Sequence, residues 1–132
     1  MVLPLLLAVG VVVAVLFGGC NGSDEVVDGP KLLENGIRSF NNNDIVKAFG
    51  ELQQAVAELR EKGDEDRVFE ASVYLAMIYD QIGQRDQSYK ILKSTEFRDV
   101  PNYKDYSSQY YLRLMGYYKA LFDKDYVSAE QY

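Results

Sequence analysis

The pattern that decides the fold lies in residues 44–83, DIVKAFGELQQAVAELREKGDEDRVFEASVYLAMIYDQIG. Apolar side chains recur there every three or four residues, which is the spacing of one face of an α-helix. The first set is Ile45, Ala48, Phe49, Leu52, Ala55, Val56 and Leu59, and the second is Ala71, Tyr74, Leu75, Ile78, Tyr79 and Ile82. No segment of the sequence alternates apolar and polar residues as a half-buried strand does. The pattern predicts two consecutive amphipathic helices in an all-α protein.

Capping residues mark the ends of these two helices. Asp44 is a candidate N-cap, because an Asp side chain can accept a hydrogen bond from the free N–H groups of a first turn. Either Asp64 or Asp66 can do the same for the second helix. Gly63 and Gly83 stand where the two helices should end, since glycine readily adopts the left-handed conformation that often follows a last turn.

Three further helices follow from the same periodicity, one before this stretch and two after it. Pro30 stands where a first helical turn tolerates proline, and a loop containing Pro101 interrupts the later pattern. The apolar sets are Leu32, Leu33, Ile37 and Phe40 in the first of these helices, Ser88, Ile91 and Leu92 in the second, and Tyr110, Tyr111, Leu114, Met115, Tyr118, Leu121 and Phe122 in the third. The chain is therefore expected to fold as successive helical hairpins.

Small residues recur at matching places in these hairpins. Ala48, Ser88 and Ala129 lie 40 and 41 residues apart, each early in the second helix of a hairpin. A small residue there lets the two helices of one hairpin approach closely. The middle hairpin, with Leu75, Ala76, Tyr79, Gly83, Ser88 and Leu92, resembles a tetratricopeptide repeat (TPR). The first hairpin (Gly36, Ala48, Leu52, Ala55) and the third (Gly116, Ala129) follow the same pattern in part.

The resemblance implies a short right-handed solenoid of stacked antiparallel helix hairpins, occupying residues 30–132. It comprises about three hairpins, of which the last is incomplete. The repeat interval exceeds the roughly 34 residues of a standard TPR, and the additional length falls in residues 63–66 and 97–102. Large residues at Tyr79, Leu92 and Tyr118 are expected to fill the spaces between hairpins.

The N-terminus carries a separate signal. Residues 1–19, MVLPLLLAVGVVVAVLFGG, contain no charge and are almost wholly apolar, and Cys20 follows two small residues. Residues 16–20 resemble the bacterial lipobox, whose Cys receives a diacylglyceryl group and becomes the mature N-terminus. This interpretation divides the region into a lipoprotein signal peptide, residues 1–19, and a flexible tether, residues 20–29. The run is also long enough for an uncleaved membrane helix, and it lacks the basic residues of a normal signal peptide.

The residues after Cys20 bear on location. Asn21, rather than Asp, follows the Cys, which by resemblance to enterobacterial sorting favours the outer membrane. The acidic run at residues 23–25 resembles the surface-export tethers of lipoproteins in the Bacteroidota. The expected location is thus the bacterial outer membrane, on its periplasmic or surface-exposed face. Lipid chains hold a protein stably when two or more are attached, so the domain would be tethered through the anchor without being inserted.

Composition excludes several classes of function. The net charge is -6 and no basic patch is visible, so nucleic acid is not expected as a partner. With one Cys and no His, the chain has no intramolecular disulfide, no Cys/His zinc site and no His-based acid–base chemistry. No phosphate-binding loop or pairing of nucleophile and base is apparent. We therefore expect a non-catalytic protein without a cofactor or metal.

The resemblance to TPR proteins also suggests where a partner binds. In a stacked array the first helix of each hairpin lines the concave surface. Candidate groove residues on the middle hairpin are Phe69, Val73, Met77, Asp80 and Gln81. The apolar members can equally be ordinary packing, and that alternative stays open here. TPR domains that clamp a C-terminal carboxylate carry Lys and Asn where this chain has Val73 and Met77, so that class of adaptor is disfavoured.

Tyrosines are concentrated near the C-terminus. Eight of the eleven lie between Tyr103 and Tyr132, and they can form either a recognition surface or the filling between hairpins. The sequence stops part-way along a helix that begins near Asp125, where a repeat array normally has a polar capping helix. This suggests either a fragment of a longer protein or self-association through the open C-terminal repeat.

These features favour a lipid-anchored TPR-like module that binds a protein or peptide without turnover. One alternative is the N-terminal sensor region of a membrane-bound TPR-containing signalling or transcriptional regulator. Another is an outer-membrane assembly factor resembling the TPR lipoprotein of the β-barrel insertion machinery. The resemblance identifies a fold and leaves the ligand open.

Overall fold

The computed structural model describes residues 28–94 and 105–131. The elements in these ranges are α1 (Gly29–Asn41), α2 (Ile45–Glu61), α3 (Glu65–Gln81), α4 (Arg85–Ser94), α5 (Tyr106–Tyr118), a π-helical turn (Lys119–Asp123) and α6 (Tyr126–Ala129). No β-strand occurs within them, so the predicted all-α class is confirmed. The predictions for residues 1–19, for Cys20 and for the loop containing Pro101 lie outside the described residues.

Helix ends in the first two hairpins match the sequence predictions. The side chains of Asp44 and Asp64 accept hydrogen bonds from the backbone N–H groups of Lys47 and Arg67, at 3.4 and 3.3 Å. Of the two candidates for the second cap, Asp64 is the one used. Gly63 has φ +71° and Gly83 has φ +82°. Both glycines therefore adopt the left-handed conformation that was expected to end these helices.

Helices α1 and α2 form a closely packed antiparallel hairpin. A Cβ atom added to Gly36 would lie 2.7 Å from Cγ of Leu52, and one added to Gly29 would lie 2.9 Å from Cγ of Leu59. Gly29, at the start of α1, lies against Leu59 near the end of α2, whereas Gly36, further along α1, lies against the earlier residue Leu52. The two helices therefore run in opposite directions. Ser39 on α1 also donates a hydrogen bond from Oγ to Glu51 Oε1 on α2, at 2.7 Å.

Helices α3 and α4 pair in a similar way around a small residue. Ser88 is fully buried, and its Oγ donates a hydrogen bond to the carbonyl oxygen of Ala76 at 2.8 Å. A larger side chain at position 88 would separate the two helices and leave that carbonyl without this donor. Ala48 is also fully buried in the first hairpin. Ser88 thus lies at the close helix contact predicted for it, and the burial of Ala48 agrees with the same prediction.

Helix α3 lies at the centre of the domain. All eight residues from Ala71 to Ile78 are buried, including members of every face of the helix. This follows from its neighbours, since α3 contacts α1, α2, α4 and α5. A helix that is apolar on all sides is one enclosed by other elements. The main hydrophobic core therefore surrounds α3.

The last predicted apolar set is only partly buried. Tyr111, Leu114, Met115 and Tyr118 lie in the core, whereas Leu121 and Phe122 are exposed. Helix α5 ends at Tyr118, and the chain continues as the π-helical turn, in which hydrogen bonds span one more residue than in an α-helix. Phe122 still contacts the Tyr118 ring, with centroids 5.8 Å apart, but it is 44% exposed. Extending the buried apolar face through Leu121 and Phe122 was therefore wrong.

Candidate functional site

The structure separates the predicted groove residues into two groups. Phe69, Val73 and Met77 are buried in the core, with exposed fractions of 2%, 0% and 3%. The Phe69 ring meets the Tyr111 ring of α5 edge-on, with centroids 5.2 Å apart. Their burial agrees with the alternative that these three residues are ordinary packing. Asp80 is half-buried and Gln81 is exposed, so these two remain accessible.

Asp80 links three helices. Its Oδ1 accepts a hydrogen bond of 2.9 Å from the hydroxyl of Tyr118 on α5, and it lies 3.7 Å from Nε of Arg85 on α4. Burial raises the pKa of Tyr118 most strongly; the hydrogen bond with Ser88 opposes that shift, and the bond with Asp80 adds to it. The phenol consequently stays protonated and remains a donor at neutral pH. Asp80 therefore has a structural role in addition to any role in binding.

The C-terminal tyrosines also divide into two groups. Tyr111 and Tyr118 are buried, as expected for filling between hairpins, whereas Tyr106 and Tyr117 are exposed and Tyr110 is half-buried. Tyr103, Tyr132 and the side chain of Tyr126 lie outside the described parts. Some of these tyrosines thus pack in the core and others lie on the surface, so each of the two predicted alternatives applies to part of the set.

One stripe of α5 collects the accessible tyrosines. Tyr106, Tyr110, Arg113 and Tyr117 follow one another at spacings of four, three and four residues, which places them on one side of an α-helix. The rings of Tyr106 and Tyr110 have centroids 6.1 Å apart. Tyr106 is 60% exposed, the most of any tyrosine described. We call these four residues the tyrosine face.

Acidic groups from α3 and from the start of α5 lie beside the tyrosine face. Burial raises the pKa of Tyr74, and the charges of Glu70 and Asp105 and the neighbouring Tyr106 raise it further. Burial also raises the pKa of Tyr110, as does the charge of Asp80, while Arg113 lowers it. Asp105 caps α5 directly before Tyr106, and these influences agree with Glu70 and Asp80 lying near the same part of the surface.

Sequence reasoning did not select this set as a site. The spacing of Tyr106, Tyr110 and Tyr117 was a usable signal, because it is visible without a structure. Nothing in the sequence showed that Glu70 would lie beside Asp105, since the two are 35 positions apart on different helices. Their proximity depends on how α5 packs against α3.

A second exposed apolar area lies at the π-helical turn. Leu121 and Phe122 are both exposed. One side of the Phe122 ring stacks on the Tyr89 ring, with centroids 5.5 Å apart and planes inclined by 10°. Tyr89 in turn donates a hydrogen bond to the Asp123 carboxylate, and Lys93 Nζ lies 5.0 Å from the centre of its ring. These contacts fix the turn against α4.

In the described part of the chain, every helix falls short of the length and apolarity that a membrane crossing requires. The same residues contain no convergent group of three Cys, Asp or Glu side chains arranged to hold a metal ion. Comparison of the chain with protein-family models, with curated proteins and with solved structures gives no match in any of the three.

Proposed function

We propose that this protein is a non-catalytic protein–protein interaction module of stacked TPR-like hairpins, anchored by lipid at Cys20 to the bacterial outer membrane. Its helical domain would hold a protein or peptide on the periplasmic or surface-exposed side. The observation that carries the proposal is the tyrosine face, a row of accessible aromatic side chains on a helix whose opposite side is built into the core. Exposed tyrosines on a helix that is held in place by the core are typical of binding surfaces.

The packing of the helices supports a stacked arrangement. The first helices of successive hairpins, α1, α3 and α5, contact one another in order. Ring contacts occur at both junctions, between Phe40 and Tyr74 and between Phe69 and Tyr111. In repeat proteins this arrangement places the first helices side by side along one continuous surface. The tyrosine face and its acidic neighbours belong to α3 and α5, so they would lie on that surface.

A second candidate activity is self-association. Tyr117, Leu121 and Phe122 leave an exposed apolar area at the C-terminal end of the described helices. Another copy of the chain could cover these side chains, because apolar area is preferentially removed from water. This candidate shares Tyr117 with the tyrosine face, so an experiment must distinguish a second copy from a different partner.

A photo-reactive amino acid introduced in cells tests the proposal. Placed at position 106 or 117, it should give a discrete covalent product with another protein, because both positions lie on the tyrosine face. Val46 on α2 is a matched control: it is 87% exposed, and it belongs to the second helix of its hairpin. The same group at position 46 should give no such product.

Two differently tagged copies of the chain, expressed together, identify what is captured. A product containing both tags favours self-association, whereas a product with one tag and added mass favours a distinct partner. Equal labelling from positions 46, 106 and 117, or no product from any of them, would contradict an interaction surface on α5.

A further inference from the structure

The charges around the tyrosine face are mainly negative. Glu70, Asp80 and Asp105 contribute three carboxylates, and the face itself contributes one cation, Arg113. Asp80 is partly compensated by Arg85, whose Nε lies 3.7 Å away. The surface therefore carries an excess of negative charge beside exposed aromatic rings.

Glu70 has little compensation from its neighbours. It is half-buried, and none of the ion pairs formed among the described residues includes it. Arg67 is the cation that acts on it, but that guanidinium is already paired with Asp64 at 2.6 Å. Burial raises the pKa of Glu70, and the like charge of Asp105 raises it further. A cation bound between Glu70 and Asp105 would relieve this repulsion.

The exposed tyrosine rings complement the same kind of ligand. The face of an aromatic ring attracts Lys and Arg side chains, and a tyrosine loses little conformational freedom when it is contacted. The net charge of -6 also draws positively charged molecules toward the protein. Both the local and the overall electrostatics thus favour a cationic partner.

The dimensions of the face indicate a chain segment. Tyr106 and Tyr117 are separated by three helical turns, a distance of roughly 16 Å at 1.5 Å per residue. An extended peptide covers that distance with about five residues. A single metal ion or amine would contact only a small part of such a row.

Building on the proposed function, we infer that the tyrosine face binds a Lys- or Arg-rich polypeptide segment. Its cationic side chains lie over the rings of Tyr106 and Tyr110 and beside the carboxylates of Glu70 and Asp105. The partner is thus a protein with an exposed basic segment, and the surface selects against acidic segments.

Fluorescence anisotropy with short labelled peptides tests this inference on the full chain in a non-ionic detergent. The probes are three peptides of equal length, which alternate Ala with Arg, with Ser or with Glu. The Arg–Ala peptide should bind and the Glu–Ala peptide should not. Combining Glu70→Gln with Asp105→Asn should weaken Arg–Ala binding about four- to twenty-five-fold, because each of the two exposed charge pairs contributes a factor of roughly two to five.

These substitutions keep the fold. Asn caps a helix about as well as Asp, so the hydrogen bond that Asp105 accepts from the Ser108 N–H, at 2.7 Å, has a replacement. Tyr106→Leu should also weaken binding, by about two- to fivefold, since it retains apolar bulk but removes the ring. The control combines Glu58→Gln with Asp86→Asn, two exposed positions on α2 and α4, and changes the net charge equally. It should leave the affinity unchanged.

Several other results of this experiment would overturn the inference. Equal weakening by the control pair would overturn the inference, because it would show that only the net charge matters. Tighter binding of the Ser–Ala or Glu–Ala peptide, or no binding of the Arg–Ala peptide, would also overturn it. In those cases crosslinking from position 106 decides separately whether the surface binds another kind of protein.

Discussion

Replacing Phe69 with Ala should lower the free energy of unfolding by about 3–5 kcal/mol, the usual range when a buried Phe is truncated. The side chain is 2% exposed and packs edge-on against Tyr111, so its removal leaves a cavity between α3 and α5. The variant loses both the burial of an aromatic side chain and its contact with the Tyr111 ring. Urea unfolding of the full chain in a non-ionic detergent, followed by circular dichroism, measures the change.

Tyr106→Ala is the matched control for this experiment. It truncates another aromatic residue that is 60% exposed, so it should change the free energy of unfolding by less than about 0.5 kcal/mol. Phe69→Leu preserves most of the volume and should cost less than Phe69→Ala. If Phe69→Ala unfolds at the same urea concentration as the wild type, Phe69 is not a core residue, and its interpretation as a groove residue becomes the stronger one.

The second large effect is expected at Gly36. A Cβ atom there would lie 2.7 Å from Cγ and 2.8 Å from Cδ2 of Leu52, and 3.3 Å from the Leu52 backbone nitrogen. Cγ is near the base of its side chain, so α1 and α2 must separate to make room. The clash in Gly36→Ala should therefore cost about 1–3 kcal/mol, of which the helix propensity of Ala recovers roughly 1 kcal/mol. The net free energy of unfolding should fall by up to about 2 kcal/mol.

Gly50→Ala provides a control of opposite sign. Gly50 lies inside α2, and a Cβ atom there would meet nothing within 4 Å. Only the helix-propensity gain remains, so this variant should be more stable than the wild type by about 0.5–1 kcal/mol. Stabilisation by both substitutions would show that the two helices are not as close as the structure places them.

The helix pattern was predictable because it depends on local chemistry. Asp44, Asp64, Gly63 and Gly83 mark helix ends through short-range hydrogen bonds and backbone preferences, and the structure uses all four. The small residue Ser88 was also informative, since a close contact between neighbouring helices requires a small side chain, and side-chain size can be read from the sequence. These features need no knowledge of distant parts of the chain.

Burial on more than one side of a helix was harder to predict. Phe69, Val73 and Met77 lie off the main apolar face of α3, so the sequence left packing and ligand contact as alternatives. The outcome depends on α5, which packs against α3. At Phe122 the difference from the prediction coincides with a π-helical turn, which no local residue pattern indicated.

The candidate site, too, was only partly predictable from the sequence. The spacing of the tyrosines on α5 could be obtained from the sequence, but their distribution between core and surface could not. Glu70 was not identified because its relation to Asp105 exists only in the folded domain. Asp80, which was selected for the groove, is bonded to Tyr118 and helps to hold α3 and α5 together.

Intact mass tests whether Cys20 anchors the helical domain to a membrane by lipid, as we propose. The intact mass of the protein from the membrane fraction should be compared between the wild type and Cys20→Ala. We expect a wild-type chain that begins at Cys20 and carries added acyl chains, and a variant without them. A wild-type chain that retains residues 1–19 and carries no acyl group would show that Cys20 is not a lipid anchor.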